Sequence, residues 1–257
     1  MDEGRAGVII EQIVTALREV IRRHRVTYAE YRAALHFLTE TVRHDELPLL
    51  SDVLFEAVVD EAGQLGTEGT ETNVEGPFYA AGAPLLNADG QTPVLPMRLE
   101  EPGDRLLFTG TVRSAAGEAL PSAEIDIWQA NGEGLYSRFA PDLPEWNLRG
   151  RIHCDAGGNF AFATIVPAAY DIPQHPHTSQ VLDLLGLEPH RPAHVHFKVR
   201  APGHRELTTQ VYFAEDPWLD CDVVGAAKPS LVTELQKTSD IDDHAYTCRF
   251  DFVLTRN

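Results

Sequence analysis

Two histidines stand one residue apart in RPAHVHF, residues 191–197. Successive side chains of a strand alternate faces, so His194 and His196 point one way while Ala193, Val195 and Phe197 point the other. Such a pair can ligate a metal, or can be the outward polar side of a half-buried strand. ELTTQVYFA, residues 206–214, places Val211 and Phe213 on one face and Thr208, Gln210 and Tyr212 on the opposite one. If that run pairs with residues 193–200, both polar faces converge, with Arg191 at the mouth. Histidine, arginine and glutamine gathered on an inner surface lose several kcal/mol of hydration unless they bind something. A metal with an anionic ligand would offset that cost.

Two histidines fall short of a metal site. Zinc takes a third histidine, an acid or cysteines, and the chain has neither HExxH nor CxxC. A cupin would place a glutamate soon after HxH, whereas Lys198 and Arg200 follow here. A second HxH, His175 and His177 in QHPHTSQ, has proline at its centre and reads as a solvated loop. Tyr136 in GEGLYSRF and Tyr170 in VPAAYDIP lie at turns. Either can be an amphipathic tyrosine with its hydroxyl at the surface. A phenol becomes a good ligand when a strong Lewis acid such as ferric iron stabilises the phenolate. Trp128 and Trp146 read as core.

The elements that must position these groups fall into two regions. Between Val8 and Ala62 there is no glycine and one proline, Pro48, while the other prolines all lie beyond residue 70. A first helix carries Ile10, Ile13, Val14, Leu17, Val20 and Ile21 on one stripe. Thr27 and Glu30 form a capping-box pattern before a second helix bearing Tyr28, Tyr31, Leu35, Leu38 and Val42. A third helix is predicted from Pro48 to Ala62, with Val53, Leu54, Ala57 and Val58 inward. Beyond residue 70 the period becomes two in RLLFTGTV, AEIDIWQA, NFAFATIV, AHVHFKVRA, ELTTQVYFA and YTCRFDFVL. Strands in succession without helices between them predict an antiparallel sandwich or barrel.

The 257 residues suffice for a large core, and the formal net charge of -18 disfavours nucleic acid and anionic membrane surfaces. MDEGRAGVIIEQIV reads as neither signal peptide nor membrane span. Cys154, Cys221 and Cys248, without a CxxC pair, predict reduced thiols in a cytoplasm.

EGPFYAAGAP, IDIWQANGEGLYS, LRGRIHCDAGGNFAFATIVPAAYDIP, RPAHVHFKVRAPGHRELTTQVYF and DPWLDCDVVGAAKPSL resemble the intradiol ring-cleavage dioxygenases. The likeness is greatest to the catechol and chlorocatechol 1,2-dioxygenases, and EPGDRLLFTGTV with the short length favours the chlorocatechol branch. The resemblance implies a mainly β protein: an N-terminal helical dimerisation domain, residues 1–70, and an antiparallel β-sandwich catalytic domain, residues 71–257. It implies one non-haem Fe(III) per chain, held by Tyr136, Tyr170, His194 and His196, with Tyr170 leaving the metal when substrate arrives. Arg191 would stabilise negative charge on the ring and Gln210 would orient Arg191 or the intermediate. Leu49, Asp52, Val53, Val74, Gly76, Pro77, Phe78, Cys221 and Val224 would wall the substrate pocket.

The implied partners are a small aromatic diol, dioxygen, a second copy of the chain and a phospholipid in the helical interface. The implied product is a cis,cis-muconate. A hydroxyquinol-cleaving branch shares all four ligands, and a metal-free transthyretin-like sandwich that binds a small molecule is the alternative of another class. Many family members carry a GPTG-like turn after YDIP and later GRHPWRPAH. This chain has QHPHTSQ and GLEPHRPAH instead, so its site entrance differs.

Overall fold

Capping fixes the ends of the first two helices. α1 (Glu3–His24) starts at Asp2, whose side chain accepts the Gly4 N–H, and ends on Arg25 with φ 51°. α2 (Tyr28–Arg43) opens with the predicted capping box: Thr27 Oγ1 accepts the Glu30 N–H and Glu30 accepts the Thr27 N–H. The apolar stripes of both helices are open, with Ile10 60%, Leu17 57% and Leu38 51% exposed. The computed structural model describes residues 2–64, 68–86, 91–238 and 244–257, and the chain divides into two compact units, Met1–Pro48 and Leu49–Asn257.

The predicted third helix is instead three pieces: α3 (Leu47–Ser51), a π turn (Asp52–Glu56) and α4 (Ala57–Gln64). Val53 is buried and Leu54 and Ala57 are half-buried as expected, but Val58 is exposed. A π turn closes i to i+5 and takes in one residue more than an α turn. The face beyond it is therefore rotated, which carries Val58 outward.

Two five-stranded sheets make the sandwich. One joins β1 (Arg105–Ser114), β4 (Asn159–Ile165), β10 (Gln236–Lys237), β11 (Tyr246–Arg249) and β12 (Phe252–Leu254). The other runs β3 (Arg149–His153), β2 (Glu124–Gln129), β7 (His194–Arg200), β8 (Leu207–Phe213) and β9 (Val232–Thr233). β5 (Tyr170–Asp171) and β6 (His190–Arg191) form a separate two-stranded ladder. Most pairs are antiparallel, while β11 and β12 lie parallel to β1, and β9 parallel to β8. The inward residues of both sheets share one core, in which the Phe197 ring lies 5.1 Å from Phe108 and 5.0 Å from Phe252.

All six period-two runs contain strands. RGRIH, which becomes β3, escapes that reading because glycine and two arginines hide its apolar face. Gly150 packs closely there: a Cβ at this position would lie 2.7 Å from Leu86 Cδ1 and 3.0 Å from Leu95 Cδ2, so those leucine methyls would have to shift. The reading of HPH as a loop is also corrected, since α5 (Pro176–Leu185) begins inside it. Proline fits the first helical position because its missing N–H would have no partner there. His175 is the N-cap, and Gly186, with φ 67°, ends the helix.

The central packing gives a stability test. Phe197→Ala removes a ring that joins both sheets and should lower the unfolding free energy by about 3–5 kcal/mol in urea titration. A loss below about 1 kcal/mol would mean that the sheets are not held through this residue.

Candidate active site

Strand register brings the site together. His194 pairs with Tyr212 and His196 with Gln210 across β7 and β8, the convergence that the alternating pattern predicts. On the other side of β7, Trp128 pairs with His196, and Arg149 with Trp128. Arg149, Trp128, His196 and Gln210 thus form one transverse row on the face away from the core. None is more than 1% exposed. Trp128, read from sequence as core, is buried but belongs to this face: its ring stacks on His196 at 4.6 Å and 10°. Trp146 is half-buried beneath Arg138, whose guanidinium lies 4.7 Å from its ring.

Three donor atoms meet in this face. His194 Nε2 and His196 Nε2 lie 3.0 Å apart, and Tyr136 Oη lies 3.4 Å from the first and 3.2 Å from the second. His194 Nδ1 donates to the Pro192 carbonyl at 2.7 Å, which fixes the tautomer and leaves the Nε2 lone pair facing the cluster. Tyr170 enters from β5, its ring 5.5 Å from Tyr136 and 5.7 Å from His194. Tyr136 is 3% exposed and Tyr170 half-buried, so neither hydroxyl follows the surface alternative.

The electrostatics suit a cation. Burial, with Arg191 adding, pushes His194 down to about 3, and burial also takes His196 well below its ordinary value. Both rings are neutral at pH 7 and can offer lone pairs. Burial pushes both phenols up, so a phenolate here needs a strong positive partner. The donor separations are those of neighbours around one small ion, whose ligand bonds run roughly 2.0–2.1 Å. Among the described residues no three His, Cys, Asp or Glu side chains gather as a metal group. The residues present therefore fit a metal that accepts phenolate and imidazole.

Arg191 is 4% exposed. Its Nε donates to Asp222 Oδ1 at 3.0 Å, and its Nη2 donates to Gln210 Oε1 and Tyr212 Oη at 3.0 Å each and to Asp222 Oδ2 at 3.2 Å. Gln210 Nε2 donates to the Val74 carbonyl at 2.7 Å. Among the described residues Arg149 has no carboxylate partner within bonding distance. It donates to Ser137 Oγ and the Ser137 carbonyl, its Nη1 has no partner, and its guanidinium lies 5.9 Å from the Tyr136 ring. Burial lowers it to about 10, so it stays charged at pH 7.

The proposed pocket residues divide into groups. Phe78 stacks on Tyr136 at 4.4 Å and 15° and meets Tyr170 edge-on at 6.0 Å. A Cβ on Gly76, whose φ is +69°, would lie 3.8 Å from His196 Cε1. Leu49, Val53 and Val224 pack with Ile172, Leu182 and Val223 in a second apolar cluster. Val74 is buried; Asp52, Pro77 and Cys221 are exposed. Sequence reasoning missed Asp222 and Arg149 and gave Tyr212 no role. The available signal for Asp222 was the requirement that a buried arginine have a carboxylate.

Comparisons with known proteins show the family and the fold. The family profile described as "Dioxygenase" matches residues 74–256, and "Catechol dioxygenase N terminus" matches residues 3–70. A chlorocatechol 1,2-dioxygenase of Rhodococcus opacus is 38% identical over 260 residues, covering 100% of both chains. A catechol 1,2-dioxygenase 2 of Acinetobacter lwoffii is 38% identical, with 92% of this chain and 88% of the relative covered. The crystal structure of 3-chlorocatechol 1,2-dioxygenase from Rhodococcus opacus 1CP superposes with a TM-score of 0.90 at 35% identity, covering 99% of each chain. A hydroxyquinol 1,2-dioxygenase of Pseudomonas putida DLL-E4 gives 0.87 at 30% identity, covering 100% of this chain and 94% of that one. With profiles matched along nearly its whole length and relatives matched end to end, the chain belongs to the intradiol ring-cleavage dioxygenases.

Proposed function

We propose that this dioxygenase opens catechol or chloro- and methyl-substituted catechols between the two hydroxyl-bearing carbons, adding both atoms of dioxygen to give cis,cis-muconates. The site would be one non-haem Fe(III) held by Tyr136, Tyr170, His194 and His196. The observation that carries this reading is the approach of Tyr136 Oη and both Nε2 atoms to within 3.0–3.4 Å, beside the half-buried Tyr170 phenol. Bound there, ferric iron supplies a Lewis acid that draws electron density from a chelated diol and opens the ring to dioxygen.

The protein's own groups have separable tasks. His194 and His196 stay neutral and present Nε2. Tyr136, enclosed by Phe78 and Trp128, is the fixed phenol. Tyr170, half-buried on a two-residue strand, is the phenol placed to give way and take a diol proton at Oη. Arg191, immobilised by Asp222, Gln210 and Tyr212, supplies a fixed cation for charge that develops on the ring. Phe78, Leu49, Val53 and Val224 limit water and meet ring substituents. A chlorine or methyl in such a pocket changes discrimination by about 1–3 kcal/mol.

The open stripes of α1 and α2 support a homodimer formed through the helical domain, residues 1–70, with a phospholipid at that interface and catalysis in residues 71–257. Among the described residues no helix is long and apolar enough to cross a membrane. Three free cysteines support a reducing cytoplasm.

A visible spectrum of the iron-loaded protein tests the assignment. Tyrosinate–iron charge transfer predicts a reddish protein whose band moves to longer wavelength when catechol is added without oxygen. A colourless protein at full iron content would falsify it. Turnover of catechol, chlorocatechols and hydroxyquinol then ranks the substrates, and a preference for hydroxyquinol would overturn the substrate assignment.

Asp222 offers a test of the Arg191 anchor. Burial alone would raise the Asp222 carboxyl, but Arg191 reverses this and holds it below its ordinary value. The lowered value means that the stabilisation is present above the ordinary aspartate range and is lost as pH falls through the folded value. Asp222→Ala should cost about 3–5 kcal/mol in urea unfolding at pH 7, with the difference from wild type shrinking below roughly pH 4. A cost under about 1 kcal/mol, or one independent of pH, would show that the pair does not anchor Arg191.

A further inference from the structure

His190 lies beside the reaction site and has no part in the chemistry above. Its Nδ1 meets Asp171 Oδ1 at 2.5 Å. A carboxylate only accepts, so the hydrogen is on Nδ1. The imidazole lies against the Trp218 ring at 3.8 Å between centroids, tilted by 34°. Its carbonyl accepts the Val223 N–H at 3.0 Å.

These contacts act on two pieces of the site at once. In the β5–β6 ladder Tyr170 faces Arg191 and Asp171 faces His190, and the ladder has only those two pairs. Two pairs have little stability of their own, and the His190–Asp171 contact ties them together beside the Ile172 N–H bond to the Pro189 carbonyl. On its other side His190 grips the segment around Trp218 and Val223. The same segment carries Asp222, which anchors Arg191. Asp216 fastens it further by accepting the Ala193 and Trp218 N–H groups at 2.8 Å each.

We propose that His190 is a positioning residue: held between Asp171 and Trp218, it fixes the Tyr170 strand against Arg191 and so sets how readily the Tyr170 phenol yields to an incoming diol. The assignment rests on reading Tyr170 as the phenol that gives way. A firm backbone confines that movement to the Tyr170 side chain. A loosened β5 lets the phenol drift before substrate arrives. The resting site would change, while the diol complex, in which Tyr170 has already left, would not.

Two replacements separate the contacts. Asn places its side-chain N–H near the former Nδ1, so His190→Asn keeps the Asp171 bond without the stack; His190→Phe keeps the stack without the bond. Asp171→Ala removes the bond from the other side. In metal-free protein, His190→Phe and Asp171→Ala should each speed hydrogen exchange of the Ile172 amide, bonded to the Pro189 carbonyl, by roughly 10-fold. The Phe197 amide in β7 should keep its wild-type rate. In iron-loaded protein of equal metal content, both variants should shift the resting visible band and leave the anaerobic catechol spectrum unchanged. His190→Asn, which keeps the bond, should bring Ile172 exchange to within about 3-fold of wild type and return the resting band to its wild-type position.

Wild-type exchange and a wild-type resting band in His190→Phe would overturn the assignment. So would equal shifts in the resting and catechol-bound spectra, because the residue would then act on the whole site. A wild-type protein with no visible band overturns the iron reading and this assignment with it. A wild-type band with unaltered variants overturns this assignment alone.

Discussion

The site depends on the pleat of one antiparallel sheet. Because side chains alternate strictly, the register of β7 against β8 and β2 decides which residues face the core and which face the site. Val195, Phe197 and Val199 go to the core. His194 and His196 go to the opposite face, level with Tyr212 and Gln210 on one side and with Trp128 on the other. A slip by one residue would turn both imidazoles into the phenylalanine-lined core and bring valine to the site. The hydrophobic packing that stabilises the fold is therefore the same constraint that aims the histidines. Only Tyr136, from a loop, and Tyr170, from the small β5–β6 ladder, reach the cluster independently of this register.

The charge distribution divides similarly. The chain as a whole is strongly acidic, yet the face behind the site buries two guanidinium groups. Arg191 is compensated by Asp222 and a polar network. Among the described residues Arg149 has only serine acceptors and the face of Tyr136. Leaving a cation buried without an anion is costly, and the Tyr136 ring lies 5.9 Å from the Arg149 guanidinium. A phenolate at Tyr136 would give Arg149 its counter-charge, so the arginine and a metal at the site favour the same state of one side chain.

Much of this arrangement is legible in the sequence, and the exceptions have physical causes. The histidine face and its meeting with Gln210 and Tyr212 follow from period two, and the capping box of α2 follows from Thr27 and Glu30. The tyrosines do not: a phenol in a turn can place its hydroxyl in water or in a site, and pattern alone does not distinguish them. Motif resemblance was needed to bring Tyr136 and Tyr170 together. Asp222 is hidden among 39 acidic residues, most of them solvated. β3 lacks an apolar alternation, and the start of α5 is masked by a proline that favours a helix's first turn as readily as a loop. The π turn leaves no periodic trace at all, because five residues are too few to show a changed spacing.

The parallel strand beside β1 carries a consequence for how the molecule is made. Val112 pairs with Phe252, and Thr111 donates to Asp251 from 140 positions away. Gly110 is needed to admit this strand, since a Cβ there would lie 1.9 Å from the Phe250 carbonyl oxygen. During synthesis, β1 leaves the ribosome long before its neighbour exists and must wait with one flank unpaired. Pairing at such sequence separation closes a long loop and is correspondingly slow.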